Sequence, residues 1–162
     1  FVGVVRHFKR FWRFHSFIAL SLSVSAFTLG CAVKEPAFFE GTWVVTEAHQ
    51  PGISAVSPQQ AQTILGRSLQ YKSDRATLNQ QQCITPRYHE QQFHLDDFSQ
   101  YYRVDAKSLG FVPGKVTQVT IDCGLGAKDI GSTLVFQEDT TAYTVFDGTF
   151  YRIEKTLEVA PI

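Results

Sequence analysis

Short alternating segments separated by tight turns are the feature that most constrains the fold of this chain. Residues 116–123 alternate polar and apolar side chains, which is the period of a half-buried β-strand. Further segments rich in β-branched and aromatic residues follow at 133–137, 142–146 and 149–153. The dipeptide Asp147-Gly148 joins the last two, and Asp-Gly between apolar runs is a strong hairpin signal. The C-terminal third is therefore predicted to be a series of antiparallel hairpins.

The preceding part of the chain continues the same pattern. Strands are predicted at 38–47, 68–71, 75–78 and 83–93, the last one entered through Pro86. Only two short helices are predicted, at 57–66 after the cap Ser57 and at 96–103. No crossover helix is long enough to support parallel pairing. We expect a mainly β domain over residues 38–157, an antiparallel meander of about eight strands closed into a barrel or curled into a sandwich.

The first thirty residues differ from the rest in charge and hydropathy. They hold four of the 15 Lys and Arg residues and none of the 15 Asp and Glu, so residues 31–162 carry a net charge of −4. An acidic domain without a basic cluster in its sequence is not expected to bind nucleic acid, because no group of positive charges would attract the phosphates. The 13 uncharged residues from Phe17 to Leu29 are too few to span a membrane as a helix, which takes about 20 residues. Residues 1–30 are therefore predicted to be an export signal peptide.

The apolar run ends in Thr28-Leu29-Gly30-Cys31. This tetrapeptide resembles the lipobox of bacterial lipoprotein precursors, although Thr28 stands where that motif usually has Leu. The resemblance implies cleavage before Cys31, acylation of Cys31 by fatty acids such as palmitate, and a lipidated tether at 31–37. Ala32, in place of Asp, implies an outer-membrane location with the domain facing the periplasm. The alternative is an ordinary secretory signal or an uncleaved anchor.

The chain has three cysteines, an odd number that lipidation of Cys31 would explain. Cys83 and Cys123 remain, and an oxidising compartment favours a disulfide between them. A metal pair or a catalytic thiol is the alternative, but no histidine lies at ligand spacing from either cysteine. We therefore expect a disulfide, no metal site and no cofactor.

Gly41-Thr42-Trp43, at the start of the first predicted strand, resembles the Gly-x-Trp motif of lipocalins and related calycin barrels. The resemblance implies an eight-stranded meander barrel in which Gly41, Trp43 and Arg152 close one end. Arg152 of the last strand would then lie against the Trp43 ring, with Phe150 inside the barrel and Tyr151 outside. The domain is small for a lipocalin, so its own side chains can fill the interior.

Several polar and aromatic groups are candidate sites. His89 and His94 lie five residues apart, which on a strand puts them on opposite faces and disfavours a metal site. Asp96, Asp97 and Ser99 near His94 hold the residue types of a hydrolase triad, but sequence adjacency does not make one. Gly124-Leu125-Gly126 lacks the rest of a phosphate-binding fingerprint. Aromatic residues that could serve either a binding surface or the core are Tyr101, Tyr102, Phe111, Phe150 and Tyr151.

Three function classes remain after this survey. The first is a non-catalytic module that binds a protein partner, of the hydrolase-inhibitor or immunity type; small disulfide-bonded β lipoproteins that resemble this one, such as the lysozyme inhibitors, present a loop for this purpose. The second is a lipocalin-like carrier of a small apolar ligand. The third, an enzyme, lacks a recognisable catalytic constellation. The first is the predicted function, and an apolar pocket of ~300 Å³ or more would favour the second.

Overall fold

One nine-stranded antiparallel sheet, curled into a half-barrel, forms the core of the domain. The computed structural model describes residues 34–124, 126, 128–138 and 141–157, so the predicted signal peptide and Cys31 lie outside the described residues. The strands are β1 (Gly41–His49), β2 (Ser68–Tyr71), β3 (Arg75–Thr77), β4 (Gln82–Ile84), β5 (Arg87–His94), β6 (Lys115–Asp122), β7 (Thr133–Gln137), β8 (Thr141–Phe146) and β9 (Thr149–Lys155). The predicted mainly β, antiparallel fold is confirmed.

The order of strands in the sheet is β4-β3-β2-β1-β9-β8-β7-β6-β5. Every strand pairs with its neighbour in sequence, except that β4 and β5 do not pair and β1 pairs with β9. The predicted pairing of the first strand with the last is therefore confirmed. The sheet would be a complete ring if its two ends, β4 and β5, were joined.

The chain passes between these two ends through a sharp bend rather than a hairpin. Thr85 has a φ of +54°, which is unusual for a β-branched residue, and Pro86 has no backbone N–H to donate. The backbone N–H of Thr85 donates to the carbonyl of Asp74, which extends the pairing of β4 with β3 by one residue. The bend keeps β4 beside β3 and sends β5 along β6.

Two short helices accompany the sheet. Helix α1 (Pro58–Gln62) begins with a capping box, in which the Ser57 side chain accepts from the Gln60 backbone while the Gln60 side chain accepts from the Ser57 backbone. Helix α2 (Phe98–Tyr102) follows a single 3-10 turn and is capped at its C-terminus by Arg103, which adopts a left-handed conformation. Among the described residues, no helix combines the length and apolar character needed to cross a membrane.

The sheet has apolar residues on both faces. The first core, which contains Trp43, Leu69, Tyr71, Leu134, Phe136, Tyr151 and Ile153, is formed by residues of most strands together with α1. The second core contains Phe93, Phe98, Leu109, Phe111, Val116, Val135, Tyr143 and Phe150. The segment between β5 and β6, with α2 in it, supplies much of this second core. Consecutive residues of β9 therefore enter different cores, as the period of a strand requires.

Candidate functional site

The disulfide is the one cross-link of the described residues, and it joins the end strand β4 to the residue after β6, the strand next to the other end of the curled sheet. Cys83 of β4 is bonded to Cys123, which directly follows β6, with 5.3 Å between their Cα atoms. This separation lies within the ordinary range for disulfides. The predicted Cys83–Cys123 bond is confirmed, and it ties the β4 side of the sheet to the β6 side.

Trp43 packs in the first core at the start of β1. It is 8% exposed, its indole N–H donates to the Phe39 carbonyl at 2.9 Å, and its ring lies 5.5 Å from that of Phe136. Gly41 has a φ of +133°, and a Cβ atom at this position would come within 2.6 Å of Lys155 Cε. Gly41 therefore leaves the space through which the Lys155 side chain passes.

The cation beside Trp43 is Lys155 and not Arg152, which corrects the sequence prediction. Lys155 is the register partner of Trp43, and its Nζ lies 5.6 Å from the centroid of the Trp43 ring. A register irregularity between Val45 and Glu47 places Arg152 opposite Glu47, several residues away from Trp43. Arg152 is partly exposed, with its Nε 3.9 Å from a carboxylate oxygen of Glu154. A single tripeptide could not predict this register.

Phe150 and Tyr151 are also placed differently from the prediction. Both are buried, each 1% exposed, because both faces of the sheet are covered. Tyr151 lies in the first core with Trp43, whereas Phe150 lies in the second core with Phe98 and Tyr143. The expectation that Phe150 shares the Trp43 side and Tyr151 faces outward was therefore wrong.

The other aromatic candidates divide between core and surface. Phe111 is buried, and Tyr102 is partly buried with its hydroxyl donating to Gln118 Oε1 at 2.6 Å. Burial raises the pKa of the Tyr102 hydroxyl well above its ordinary value. Tyr101 is 50% exposed and stacks on Phe93 with 4.6 Å between ring centroids. Of this set, Tyr101 alone presents a large surface to solvent.

The polar candidates for catalysis do not converge. His89 and His94 both lie on β5, on opposite faces of the strand, and both are exposed. Asp96 and Asp97 form the 3-10 turn Leu95–Asp97, and the Asp97 side chain makes no capping hydrogen bond to α2. Within the described ranges, no three His, Cys, Asp or Glu side chains are grouped closely enough to hold a metal ion.

The concave side of the sheet is filled by large side chains of the first core. Tyr71 and Tyr151 are among the largest fully buried residues, with Leu69 and Leu134 packed beside them. A cavity of about 200 Å³ lies beside the disulfide and is lined by Leu78, Thr120, Asp122, Lys128 and Ser132, among others. This volume is below the ~300 Å³ at which pockets for small ligands begin.

The carboxylate at this cavity is already engaged. Asp122 accepts a hydrogen bond of 2.8 Å from the Gly124 backbone N–H. Its carboxylate also forms an ion pair with Arg87, with 2.6 Å between the nitrogen and the oxygen. The bond from Gly124, followed by that from Arg87, lowers the pKa of Asp122 below its ordinary value. These contacts within the protein thus favour the ionised form of the Asp122 carboxylate.

The most distinctive surface feature is the loop of residues 50–56 between β1 and α1, which we term the Ile53 loop. The side-chain amide of Gln50 donates to the Val56 carbonyl at 2.7 Å and lies 3.2 Å from the hydroxyls of Ser54 and Thr149. The Ser54 hydroxyl lies 2.8 Å from that of Thr149, which is fully buried. The loop is therefore closed on itself and bonded to the start of β9.

Two glycines allow other parts of the chain to lie close to the Ile53 loop. A Cβ atom on Gly148 would lie 2.2 Å from the Ile53 carbonyl oxygen, and one on Gly52 would lie 2.9 Å from Val104 Cγ1. The Ala55 N–H also donates to the Asp147 carbonyl at 3.0 Å. The loop is held between the β8–β9 turn on one side and the segment after α2 on the other.

These contacts hold the residues on both sides of Ile53 and leave its side chain in solvent. Ile53 is 100% exposed, the largest exposure of any large apolar residue described. The sequence indicated only that Gln50-Pro51-Gly52 ends a strand. Asp147 and Gly148 have φ values of +47° and +79°, as a type I′ turn requires. That hairpin was predicted, but its contact with a loop about a hundred residues earlier leaves no local sequence signal.

Comparison with known proteins gives no relative on which to base an assignment. No protein-family model, no curated protein and no solved structure matches this chain significantly.

Proposed function

We propose that this chain is a lipid-anchored envelope lipoprotein whose β domain binds a protein partner and catalyses no reaction. The observation that carries the proposal is the Ile53 loop, in which a fully exposed apolar side chain projects from a backbone held on both sides. An immobilised loop loses little conformational entropy when it binds, so more of the contact energy appears as affinity. Single apolar side chains that fill a partner's pocket often dominate such interfaces.

The shape of this loop favours a partner with a concave site. A projecting isoleucine on a rigid loop fits an apolar cleft, and enzymes commonly have such clefts. We therefore propose a partner of the hydrolase class, with the protein acting as an inhibitor or immunity protein. The alternative of a small-ligand carrier receives less support, because aromatic and aliphatic side chains fill the concave side of the sheet.

The proposed anchor is the lipid on Cys31, argued from the resemblance of Thr28-Leu29-Gly30-Cys31 to a lipobox. The described domain begins a few residues later, so the tether would hold it close to the outer membrane on the periplasmic side. Replacing Cys31 by Ser in the full chain should abolish labelling with radioactive palmitate and release the protein from the membrane fraction. Retention of the label by Cys31→Ser would contradict the anchor.

The binding proposal is tested by photo-cross-linking in cells. A photoreactive amino acid at position 53 of the full chain should give a discrete adduct with one envelope protein. The matched control is position 84, because Ile84 is also strongly exposed, at 85%, but lies on the edge strand β4. An adduct from position 53 alone supports the proposal. Adducts with lipid only, or equal adducts from both positions, contradict it.

A further inference from the structure

Within the part of the chain that the structure describes, strand β5 leaves one backbone edge uncovered. Among the strands of the described residues it pairs only with β6, in an unbroken register from Arg87↔Asp122 to His94↔Lys115. On the other side, the turn between β2 and β3 reaches only its first residues, where the Tyr88 hydroxyl donates to the Lys72 carbonyl at 2.8 Å. From His89 onward, the side chains of β5 are exposed except that of Phe93.

The ladder identifies which backbone groups face this open edge. The Leu95 N–H donates to the Gly114 carbonyl at 2.9 Å and continues the register of β5 with β6. In an antiparallel pair, alternate residues direct both N–H and C=O toward the partner strand. Residues 89, 91 and 93 thus bond to β6, while Glu90, Gln92 and His94 point outward. None of the described residues supplies a partner for their outward N–H and C=O groups.

We propose that this edge pairs with the β5 edge of a second copy of the chain, antiparallel about a two-fold axis at Gln92. In this register Gln92 lies opposite Gln92 of the partner subunit. Glu90 of each subunit lies opposite the His94 position of the other. The three opposed pairs would form about six backbone hydrogen bonds. An isologous two-fold contact of this kind is the commonest form of homo-oligomer.

Side-chain complementarity selects this register and this occupant. The Gln92-centred alignment opposes Glu90 to His94 twice, and a carboxylate can accept a hydrogen bond from an imidazole N–H directly across two strands. An alignment centred on Glu90 would place two carboxylates face to face, and one centred on Gln91 would oppose Glu90 to Gln92. A second copy therefore supplies a complement to each polar residue of the edge.

An apolar surface adjoins the proposed axis. Tyr101 is 50% exposed, lies 4.6 Å from Phe93 and has its hydroxyl 3.2 Å from Gln91 Nε2. In the proposed alignment Gln91 lies opposite Phe93 of the partner subunit, so Tyr101 would be partly covered. This contact is separate from the Ile53 loop, and the inference does not depend on the function proposed above.

The first test is cross-linking of the full chain in cells. A Gln92→Cys substitution would place two thiols across the axis with Cα atoms about 5.5 Å apart, a separation suited to a disulfide. Mild oxidation should convert most of the chain to a band of twice its mass on a non-reducing gel. Gln91→Cys, on the neighbouring exposed residue, should cross-link at least several-fold less. A monomeric Gln92→Cys variant, its linkage to a different protein, or equal cross-linking at both positions would overturn the proposal.

The second test uses the purified full chain in detergent and measures its mass by analytical ultracentrifugation. Gln92→Pro removes an N–H that β6 does not use, and proline is tolerated at such edge positions, so the fold should survive. The wild type and Gln92→Ala should sediment as dimers, while Gln92→Pro should be monomeric with an unchanged circular dichroism spectrum. A monomeric wild type, or a dimeric Gln92→Pro variant, would refute the interface.

Substitutions at the Glu90–His94 pair check the register. His94→Glu opposes carboxylates at both pairs and should weaken the dimer about tenfold, given the size of such cross-strand interactions. Adding Glu90→Lys to that variant places opposite charges at both pairs and should recover the wild-type dissociation constant. Failure of the double variant to recover would contradict the Glu90–His94 pairing.

Discussion

Tyr71 donates a hydrogen bond of 2.9 Å from its hydroxyl to the backbone carbonyl of Gly131, and both groups are buried in the first core. This bond connects β2 to the segment that precedes β7, on opposite sides of the curled sheet. Gly131 has a φ of +99°, and a Cβ atom there would lie 3.0 Å from the same hydroxyl oxygen. The two residues therefore set how closely the two sides of the sheet approach.

Removing the Tyr71 hydroxyl should destabilise the domain. Tyr71→Phe leaves the Gly131 carbonyl buried without its partner, which costs about 1–3 kcal/mol of the free energy of unfolding. Urea unfolding followed by circular dichroism measures the loss. Tyr101→Phe is the control, because its half-exposed hydroxyl should contribute less than about 0.5 kcal/mol. Equal losses for the two variants would contradict the role given to the Tyr71 bond.

Replacing Gly131 tests the crowding around that bond. Gly131→Ala combines a left-handed φ with contacts of 3.0–3.2 Å to Tyr71, Leu69 and Leu78. Gly110→Ala shares the left-handed φ, at +83°, but its Cβ would meet nothing within 4 Å. Gly131→Ala should therefore lower the melting temperature clearly more than Gly110→Ala does. A larger effect at Gly110 would contradict the packing described.

Alkaline pH should unfold the domain through its buried tyrosines. Burial raises the pKa of Tyr71 well above its ordinary value, and it raises the pKa of Tyr88 to about 12. Below about pH 10, the ordinary tyrosine pKa, these side chains are neutral in both folded and unfolded chains. Above it the unfolded chain ionises first, so stability should fall as pH rises toward the folded-state values. Urea titrations at increasing pH measure this slope, which Tyr71→Phe should reduce.

Loss of the disulfide should destabilise the domain without changing its strand order. Cys83 and Cys123 are 40 positions apart, and a loop of that length corresponds to about 4 kcal/mol in the chain-entropy model. In urea unfolding, the double variant Cys83→Ser with Cys123→Ser should show a free energy of unfolding lower by about that amount. A double variant as stable as the wild type would show that the bond does not restrain the unfolded chain.

Local sequence patterns predicted most of the strands, because alternation and turn residues act over a few positions. The capping box at Ser57 and the Asp147-Gly148 turn are examples in which the side chains alone determine the local backbone. The division of 83–93 into β4 and β5 was missed, since Pro86 is as compatible with the entry to one strand as with a bend between two.

What could not be predicted depends on contacts between distant residues. The register of β1 with β9, which places Lys155 opposite Trp43 and Arg152 opposite Glu47, decides which cation lies beside the Trp43 ring. The burial of both Phe150 and Tyr151 depends on the segment around α2 covering the second face. The hydrogen bonds that hold the Ile53 loop likewise depend on a contact between Gln50 and Thr149, which are distant in sequence.

Binding of a protein by the Ile53 loop can be tested by comparing three immobilised forms of the full chain. Wild type, Ile53→Asp and the control Ile84→Asp would be exposed to the same bacterial envelope extract, with retained proteins quantified by mass spectrometry. We predict that one hydrolase is retained by wild type and Ile84→Asp and is depleted at least about tenfold on Ile53→Asp, as for a dominant interface residue. Identical retention by all three forms, or recovery of a stoichiometric apolar small molecule in place of a protein, would contradict the claim.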